Sequence, residues 1–363
     1  MTARTYLVTG GAGFIGSNLV HRTLELYSDA RVVVLDKLTY AGNLENLANV
    51  RESPRFEFVH GDICDRAALL PLLTRIRPSV IFNLAAESHV DRSIDAPGEF
   101  IHTNVVGTFE LLNAARAHYG SLAEPERQAF RFVHVSTDEV FGSLGDAGRF
   151  DEESRYAPNS PYAASKAAAD HLVRAWHQTF ELPTLTTNCS NNYGPFQFPE
   201  KLVPLVTLNA LENKPLPVYG DGRNVRDWLF VRDHCDGLLR VAELGVPGES
   251  YNIGGNCEKT TLEMVQAICG VLDELTPRNS GSYSELIRFV PDRPGHDHRY
   301  AIDPSKLGRE LGWHPTTTFA DGLGQTVRWY LANRAWCEQI ERNRYGRERL
   351  GLGPPLPENK GGT

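Results

Sequence analysis

Long apolar runs are absent from this sequence. Nowhere does the chain approach the ~20 consecutive apolar residues that a membrane-spanning helix needs. The first ten residues lack the basic region and apolar stretch of a secretory signal and lead directly into a strand pattern at Tyr6. These two absences predict a cytoplasmic protein with no membrane partner.

Positive charge is in deficit. The sequence has 37 Lys and Arg against 45 Asp and Glu, which gives a net charge of −8. Proteins that bind nucleic acid present a basic surface, so no nucleic-acid partner is expected. The deficit does not exclude a small anionic ligand, because a few arginines are enough to bind a phosphate group.

Paired cysteines and metal-ligand spacings are also missing. The six cysteines are scattered along the chain, with no Cys-x-x-Cys and no paired histidines. In a chain of 363 residues this distribution is typical of reduced thiols rather than of disulfides or zinc ligands. We therefore expect no structural metal.

The first half of the sequence alternates between strand and helix patterns. Short β-branched or aliphatic runs, typical of buried parallel strands, lie at residues 6–8, 31–36, 56–59, 79–84, 132–136 and 184–188. Helical patterns lie at residues 14–27, 65–76, 97–118 and 161–180. This alternation predicts an α/β fold with a doubly wound parallel sheet of the Rossmann type.

A glycine pattern follows the first of these strands. Gly10, Gly13 and Gly16 have a G-x-x-G-x-x-G spacing, in which glycine lets the backbone approach a pyrophosphate and the next helix supplies N–H donors. Asp36 ends the second strand, where a carboxylate binds ribose hydroxyls and repels a 2′-phosphate. NAD is therefore favoured over NADP, although Lys37 beside Asp36 weakens that preference. A glycine-rich turn without a ligand is the alternative.

A Tyr-x-x-x-Lys pair opens the last of the helical patterns. Tyr162 and Lys166 are four residues apart, so both lie on one helix face, where the lysine cation would stabilise a tyrosine phenolate. Thr137, at the end of the preceding strand, is placed to donate to the same substrate oxygen. A surface tyrosine with a solvated lysine is the alternative. The three residues together favour a catalytic site.

These motifs, together with four longer segments, resemble the dTDP-glucose 4,6-dehydratases, a family of extended short-chain dehydrogenases/reductases that act on nucleotide sugars. The segments are LDKLTYAGN at residues 35–43, AAESHVDRS at 85–93, STDEV at 136–140 and NCSNNYGP at 188–195. The resemblance extends from about Tyr6 to Trp329, and we find no match beyond Arg342. It departs from the family at Thr261, where an asparagine often ends the nucleotide contacts, so that contact is not expected here.

Asp138 and Glu139 distinguish this family from its relatives. Adjacent side chains just past a strand end diverge, so one protonated and one ionised carboxyl can act as acid and base on neighbouring substrate atoms. Elimination of water across C5 and C6 of a hexose needs that pair. Related 4-epimerases carry small or neutral residues there, and GDP-mannose-type dehydratases keep the glutamate but usually lack the aspartate. A loop start that favours acidic residues is the alternative.

The resemblance implies a lyase that converts dTDP-glucose to dTDP-4-keto-6-deoxyglucose. Tyr162 takes the O4 proton during C4 oxidation, Glu139 removes the C5 proton, and Asp138 protonates the leaving 6-hydroxyl. Hydride returns to C6, so NAD is recycled. The resemblance also implies a role in deoxysugar biosynthesis and a homodimer packed through the helices near 97–118 and 161–180. A UDP-glucose 4,6-dehydratase, another NAD-dependent nucleotide-sugar epimerase or decarboxylase, and a non-enzymatic NAD sensor are the alternatives, and the downstream pathway stays open.

Two groups of binding residues follow from the resemblance. Those for NAD are Gly10, Gly13, Phe14, Ile15, Gly16, Asp36, Lys37, Leu38, Thr39, Asp62, Ile63, Leu84, Ala85, Ala86, Thr103, Tyr162, Lys166 and Asn192. Those for the nucleotide sugar are Ser88, Thr137, Asn191, Lys201, Leu202, Pro217, Tyr219, Arg226, Arg293 and His296. Solvated surface charge is the alternative for Lys201 and Arg226.

The alternation of strand and helix patterns also predicts the domains. Residues 1–188 are predicted to form an NAD-binding Rossmann domain, and a return of residues 226–250 to it is left open. After about Asn188 the alternation stops and turn-rich segments begin, so residues 189–350 are predicted to form a smaller sugar-nucleotide-binding domain. The Pro- and Gly-rich residues 351–363 are predicted to be a flexible tail.

Overall fold

A computed structural model describes residues 4–292, 296–343, 345 and 347. Its strands are β1 (Thr5–Thr9), β2 (Arg31–Asp36), β3 (Phe56–His60), β4 (Val80–Asn83), β5 (Arg131–Thr137), β6 (Thr184–Cys189), β7 (Asn191–Tyr193), β8 (Leu216–Tyr219), β9 (Val225–Phe230), β10 (Ser250–Ile253), β11 (Glu258–Thr260) and β12 (Ile287–Val290). Its α-helices are α1 (Phe14–Leu26), α2 (Arg66–Ile76), α3 (Val90–Asp95), α4 (Pro97–Phe100), α5 (Thr108–Ser121), α6 (Glu126–Ala129), α7 (Pro161–Phe180), α8 (Leu202–Leu211), α9 (Val231–Leu244), α10 (Thr261–Leu275), α11 (Ser305–Leu311), α12 (Phe319–Ala332) and α13 (Arg334–Asn343). Within the described ranges, none of the helices has the length and apolar character needed to span a membrane.

Seven strands form one parallel sheet at the centre of the fold. Their order is β10-β6-β5-β4-β1-β2-β3, and every neighbouring pair runs parallel. Val32, Val33 and Val34 in β2 are all fully buried, because a strand inside such a sheet is covered on both faces. Each of the six strand segments predicted from the sequence is a strand of this sheet.

Helices cover both faces of the sheet. On one face α1 and α9 pack through residues such as Leu19 and Leu238. On the other face α2, α5 and α7 pack through residues such as Leu73, Leu111 and Val173. The right-handed crossovers of a parallel sheet produce this two-sided cover. The predicted doubly wound α/β fold is confirmed.

The predicted helix over residues 97–118 is interrupted. It consists of α4, a π-helical segment over Ile101–Gly107, and α5. Inside the π segment the Asn104 side chain accepts a hydrogen bond from the Glu87 amide at 2.9 Å and donates to Ser165 Oγ at 2.8 Å. These contacts with distant parts of the chain accompany the wider helical turn, and π segments are frequent at functional sites.

The remaining strands build two small sheets beside the large one. β7, β9 and β11 form a three-stranded sheet, and β8 pairs with β12. Helices α8, α10 and α12 pack around them in a core that includes Met264 and Val327. Strand β10 lies instead at the edge of the large sheet, and α9 packs against α1. The domain boundaries given above stay a prediction, and residues 351–363 lie outside the described part of the chain.

Candidate active site

One cleft contains most of the residues singled out in the sequence. It lies where β1, β2, β4 and β5 end, because the carboxyl ends of parallel strands meet at one edge of a sheet. Predicted cofactor residues on its walls are Gly10, Gly13, Phe14, Ile15, Gly16, Asp36, Lys37, Thr39, Asp62, Ile63, Leu84, Ala85, Ala86, Thr103, Tyr162, Lys166 and Asn192. Leu38 is not a lining residue; its amide donates to Asp36 Oδ1 at 2.8 Å.

The turn between β1 and α1 accepts only glycine at two places. Gly10 has a φ of +68°, and a Cβ there would lie 2.8 Å from the backbone of Ala85. A Cβ on Gly16 would lie 2.2 Å from the carbonyl oxygen of Gly10. Gly13 is the N-cap of α1 and provides no side-chain cap. The backbone N–H groups of the first helical turn therefore lack a capping side chain at the cleft, which fits a diphosphate.

The carboxylate of Asp36 connects the end of β2 to this turn. Its Oδ2 accepts a hydrogen bond from the Ala12 amide at 2.9 Å, and the side chain is buried. Lys37, the next residue, pairs with Asp62 at 2.7 Å. Because the Lys37 cation is already paired with a carboxylate, it is less available to bind the 2′-phosphate of NADP. Lys37 therefore no longer weakens the preference for NAD. The glycine turn and Asp36 together fit an NAD molecule.

The five predicted catalytic residues line the same cleft. Thr137 ends β5 and caps the 3-10 turn Asp138–Phe141, since its Oγ1 accepts the Glu139 amide at 3.3 Å. Ser160 caps α7 in the same way, with Pro161 at the first helical position. Helix α7 therefore begins beside the cleft, and Tyr162 lies in its first turn.

Asp138 has the surroundings of a neutral carboxylic acid. It is 2% exposed, and its Oδ2 has no hydrogen-bond partner within the described part of the chain. Burial, followed by the charges of Glu139 and Asp227, raises its pKa well above the usual value. Glu139, the next residue, is only half-buried. The pair therefore provides a proton donor next to a more solvated carboxylate.

Burial opposes the ionisation of Tyr162. Burial, followed by the charges of Glu139 and Cys189, raises its pKa well above the usual value. The Lys166 ammonium donates to the Val135 carbonyl at 2.8 Å, and burial lowers its pKa. Burial thus opposes the phenolate in the protein alone, and its stabilisation by Lys166 stays a prediction, because helical spacing indicates a shared face and not the cost of burial.

The predicted substrate residues fall into two groups. Ser88, Thr137, Asn191 and Lys201 line the cleft. Lys201 Nζ donates to the Ser88 carbonyl at 3.0 Å, which joins two loops of the wall. The predicted substrate residues that are not among the residues lining the cleft are Leu202, Pro217, Tyr219, Arg226 and His296. Arg293 lies outside the part of the chain that the structure describes.

Arg226 is engaged by the protein itself. Its guanidinium donates to the carbonyls of Val225 at 2.7 Å and Asp297 at 3.0 Å, and it lies 4.3 Å from the ring centre of Tyr300. Tyr219 and His296 are close to each other, with ring centroids 6.4 Å apart, and His296 pairs with Asp292 at 2.6 Å. The contacts of these residues with a nucleotide stay a prediction.

Several lining residues were not recognised in the sequence. Glu87, Cys189 and Ser190 lie inside the quoted family segments, and Gln197 and Glu200 follow shortly after the last one. Their proximity to these segments was the available signal. No group of three or more His, Cys, Asp or Glu residues that could hold a metal is found among the residues that the structure covers.

Known proteins resemble this chain over nearly its whole length. A family model for GDP-mannose 4,6 dehydratase matches residues 7–326. A dTDP-glucose 4,6-dehydratase of Neisseria meningitidis serogroup B is 56% identical over 354 residues, 96% of this chain and 99% of the relative. One from Xanthomonas campestris pv. campestris is 58% identical over 349 residues, with the same coverage of 96% and 99%. The crystal structure of a dTDP-glucose 4,6-dehydratase from Streptomyces venezuelae with NAD bound has a TM-score of 0.84 and 48% identity, over 93% of this chain and 99% of that one.

Proposed function

This chain belongs to the family of dTDP-glucose 4,6-dehydratases, and from that premise we propose that it removes water from dTDP-glucose to form dTDP-4-keto-6-deoxyglucose. The family resemblance seen in the sequence is confirmed. The observation that carries the reaction is the burial of Asp138, which raises its pKa, beside the more exposed Glu139. An epimerase has no use for such a pair, because it removes no water.

The chain's own residues bind and orient NAD. The N–H groups at the start of α1 receive the diphosphate, and Asp36 receives the ribose hydroxyls. When bound, NAD supplies a reversible two-electron redox couple that acts at C4 and then at C6 of the sugar. It is therefore recycled within one turnover.

Thr137 and Tyr162 act on the 4-hydroxyl in this proposal. Their shared position in the cleft supports a hydrogen bond from Thr137 to O4 and transfer of the O4 proton to Tyr162. Because burial raises the pKa of the phenol, the phenolate needs a positive charge close by. Lys166, one helical turn away on α7, supplies that charge.

Glu139 and Asp138 carry out the elimination. The ketone at C4 acidifies the C5 proton, which Glu139 removes as a general base. Asp138 donates its proton to the leaving 6-hydroxyl, a role that suits a carboxyl group kept protonated by burial. A proton then returns to C5. The two neighbouring carboxyl groups thus act at two neighbouring carbon atoms, Glu139 at C5 and Asp138 at the hydroxyl of C6.

Turnover with a defined substrate tests the proposed function. Purified protein incubated with dTDP-glucose is expected to give a product that has lost one water, without added NAD in stoichiometric amounts and without net NADH. A dTDP-hexose of unchanged mass would indicate an epimerase instead. An equal rate with UDP-glucose would remove the preference for dTDP.

A homodimer is part of the proposal. Ile101, Val106 and Phe109 are 49%, 38% and 37% exposed along the run from α4 to α5, and apolar exposure of this kind marks protein interfaces. Phe109 also touches Trp176 of α7, with ring centroids 5.7 Å apart. In analytical ultracentrifugation Phe109→Glu is expected to give monomers. The control Leu244→Glu, at a side chain 50% exposed elsewhere, is expected to stay dimeric.

The location and the pathway also belong to the proposal. All six cysteines are free in the structure, which supports a reducing compartment such as the cytoplasm. The 4-keto-6-deoxy product carries a reactive ketone and no 6-hydroxyl, so it feeds the biosynthesis of deoxysugars.

A further inference from the structure

A buried carboxylate lies one helical turn beyond the Tyr162–Lys166 pair. Tyr162, Lys166 and Asp170 follow each other at intervals of four residues, so they share the face of α7 that packs on β5 and β6. Asp170 and Lys166 are each 4% exposed. The reaction sequence proposed above gives Asp170 no role.

Two hydroxyl groups hold the Asp170 carboxylate in place. Ser136 Oγ donates to Oδ2 at 2.8 Å, and the Tyr156 hydroxyl donates to the same oxygen at 3.0 Å. His134 Nε2 lies 3.2 Å from Oδ1, an oxygen that has no hydrogen bond from the described residues. A buried carboxylate oxygen without a hydrogen bond destabilises the folded protein unless an opposite charge lies nearby.

The His134 ring lies between this carboxylate and Lys166. Its Nδ1 accepts from Asn83 Nδ2 at 3.1 Å, so the ring proton is on Nε2, which lies 3.5 Å from Lys166 Nζ. Thr9 sets the orientation of the Asn83 amide, because its hydroxyl donates to Oδ1 at 2.8 Å. Burial and the charge of Lys166 lower the pKa of His134 to about 4, so the ring is neutral near pH 7.

Among the described residues, the other titratable groups near Lys166 are uncharged at neutral pH. They are Tyr162 on its own helix, His134 on β5 and Cys189 on β6. Burial raises the pKa of Cys189 to about 12 and raises the pKa of Tyr162 as well. Burial also favours loss of the Lys166 proton, and the attraction of Asp170 opposes that loss.

We propose that Asp170 is a positioning residue of the active site, whose carboxylate balances the buried charge of Lys166 and keeps this side chain an ammonium one turn from Tyr162. Without the carboxylate, the pKa of Lys166 falls further, so a larger fraction of the side chain is neutral and Tyr162 loses part of the positive charge that supports its ionisation. The consequence for turnover rests on the proposed dehydratase function, whereas the charge balance does not.

A titration without substrate tests the charge balance. In protein carrying ¹³C at lysine Cε, with Lys166→Arg for assignment, Asp170→Asn is expected to lower the titration midpoint of Lys166 by about one pH unit or more. Asp170→Glu keeps the charge and is expected to restore most of the midpoint. Asp170→Ser removes the same charge and replaces Asp170→Asn if that variant does not fold.

Two controls separate charge from packing. Tyr156→Phe removes a hydrogen bond to the carboxylate but no charge, so the Lys166 midpoint is expected to stay near that of the wild type. Asp170 also lines a cavity separate from the cleft, together with the exposed Glu249. Glu249→Gln removes a charge from the wall of that cavity and is expected to leave the Lys166 midpoint unchanged. Equal midpoints in the wild type and the folded charge-removing variant would overturn the proposal, whatever their activities.

The pH profile of turnover gives a second readout. In Asp170→Asn the acidic limb of kcat is expected to move to higher pH, with kcat at pH 7 reduced at least about tenfold and KM for dTDP-glucose unchanged. A loss that is equal at all pH values would mean a merely structural role and contradict the proposal. If the wild type failed to dehydrate dTDP-glucose but the Lys166 midpoint still fell in the variant, the proposed function alone would be wrong.

Discussion

Asp138 and Glu139 carry the same functional group in different surroundings. Asp138 lines the cleft but is only 2% exposed, whereas Glu139 is half-buried. Desolvation disfavours the charged form of the first, so the proton stays on Asp138 at a pH where an ordinary aspartate has lost it. A difference in solvation between two adjacent residues thus separates an acid from a base.

Substitution of each carboxyl group is expected to stop the reaction at a different step. Glu139→Gln removes the base, so exchange of the C5 proton with deuterated solvent should stop. Asp138→Asn should permit that exchange and block loss of the 6-hydroxyl, with enzyme-bound NADH visible by its absorbance in a single turnover. A loss of at least ~10²-fold in kcat is expected for each. Product release at the wild-type rate by both variants would remove the pair from the mechanism.

The same burial makes Asp138 a source of instability at neutral pH. Its pKa is higher in the folded than in the unfolded chain, so the folded state keeps a proton that the unfolded state loses. Stability therefore falls as pH rises from the unfolded pKa to the folded pKa, by about 1.4 kcal/mol per pH unit. Asp138→Asn lacks this loss, so its free energy of unfolding should exceed that of the wild type at pH 8. The gain should vanish below about pH 4; a variant less stable at both pH values would contradict this account.

At the scale of elements, the turn from β1 into α1 requires glycine, which has no side chain. The Cβ of any other residue at position 16 would lie 2.2 Å from the Gly10 carbonyl oxygen, so the helix could not approach the strand as closely. This close approach places the N-terminus of α1 at the cleft. The glycine pattern is therefore a packing requirement of the element as well as a feature of the binding site.

Two glycine substitutions in helices are expected to have opposite effects. Gly16→Ala in α1 should lose bound NAD and destabilise the protein by about 1–3 kcal/mol, because backbone must move to make room. Gly270→Ala in α10 meets no atom within 4 Å and should stabilise by up to ~1 kcal/mol through helix propensity. Thermal unfolding and the dinucleotide released on denaturation measure both. Retention of NAD by Gly16→Ala would contradict the close approach.

Helix α7 and the run from Pro97 to Ser121 differ in how far local sequence determines them. The bounds of α7 match the predicted residues 161–180, because Ser160 and Pro161 form a local start signal. The π-helical segment within the other run was not predicted, since its contacts involve Glu87 and Ser165, which are distant in the sequence. Local signals can be read from sequence order, whereas such contacts exist only after the elements have packed.

At the scale of the whole molecule, helix α13 supports the glycine turn. Trp336 Nε1 in α13 donates to Asn46 Oδ1 at 2.8 Å, and Asn46 Nδ2 donates to the Ala12 carbonyl at 2.8 Å. The Ala12 amide in turn donates to Asp36. Two hydrogen bonds thus connect residue 336 to the turn, although the family resemblance in the sequence had been followed only to about Trp329.

Trp336→Phe is expected to weaken NAD binding without unfolding the protein. It removes the indole donor and leaves a buried ring, so the Asn46 side chain loses one partner and the turn loses support. The Kd for NAD should rise roughly fivefold to tenfold, in line with ~1 kcal/mol for one buried hydrogen bond. Trp329→Phe changes the same aromatic cluster away from Asn46 and should leave the Kd near that of the wild type. An unchanged Kd in Trp336→Phe would show that α13 does not support the turn.

The sequence by itself determined the parallel sheet, its cofactor turn and the five candidate catalytic residues. These follow from apolar runs, glycine spacing and the family segments, all of which are local in the chain. Only the tertiary structure decided the burial of Tyr162 and Asp138, the pairing of Lys37 with Asp62, and the contacts of Arg226 with carbonyl groups. Burial and charge depend on what other elements bring to a position. The shifted pKa values, the charge partners and the hydrogen bond from Trp336 therefore could not be predicted from the local sequence.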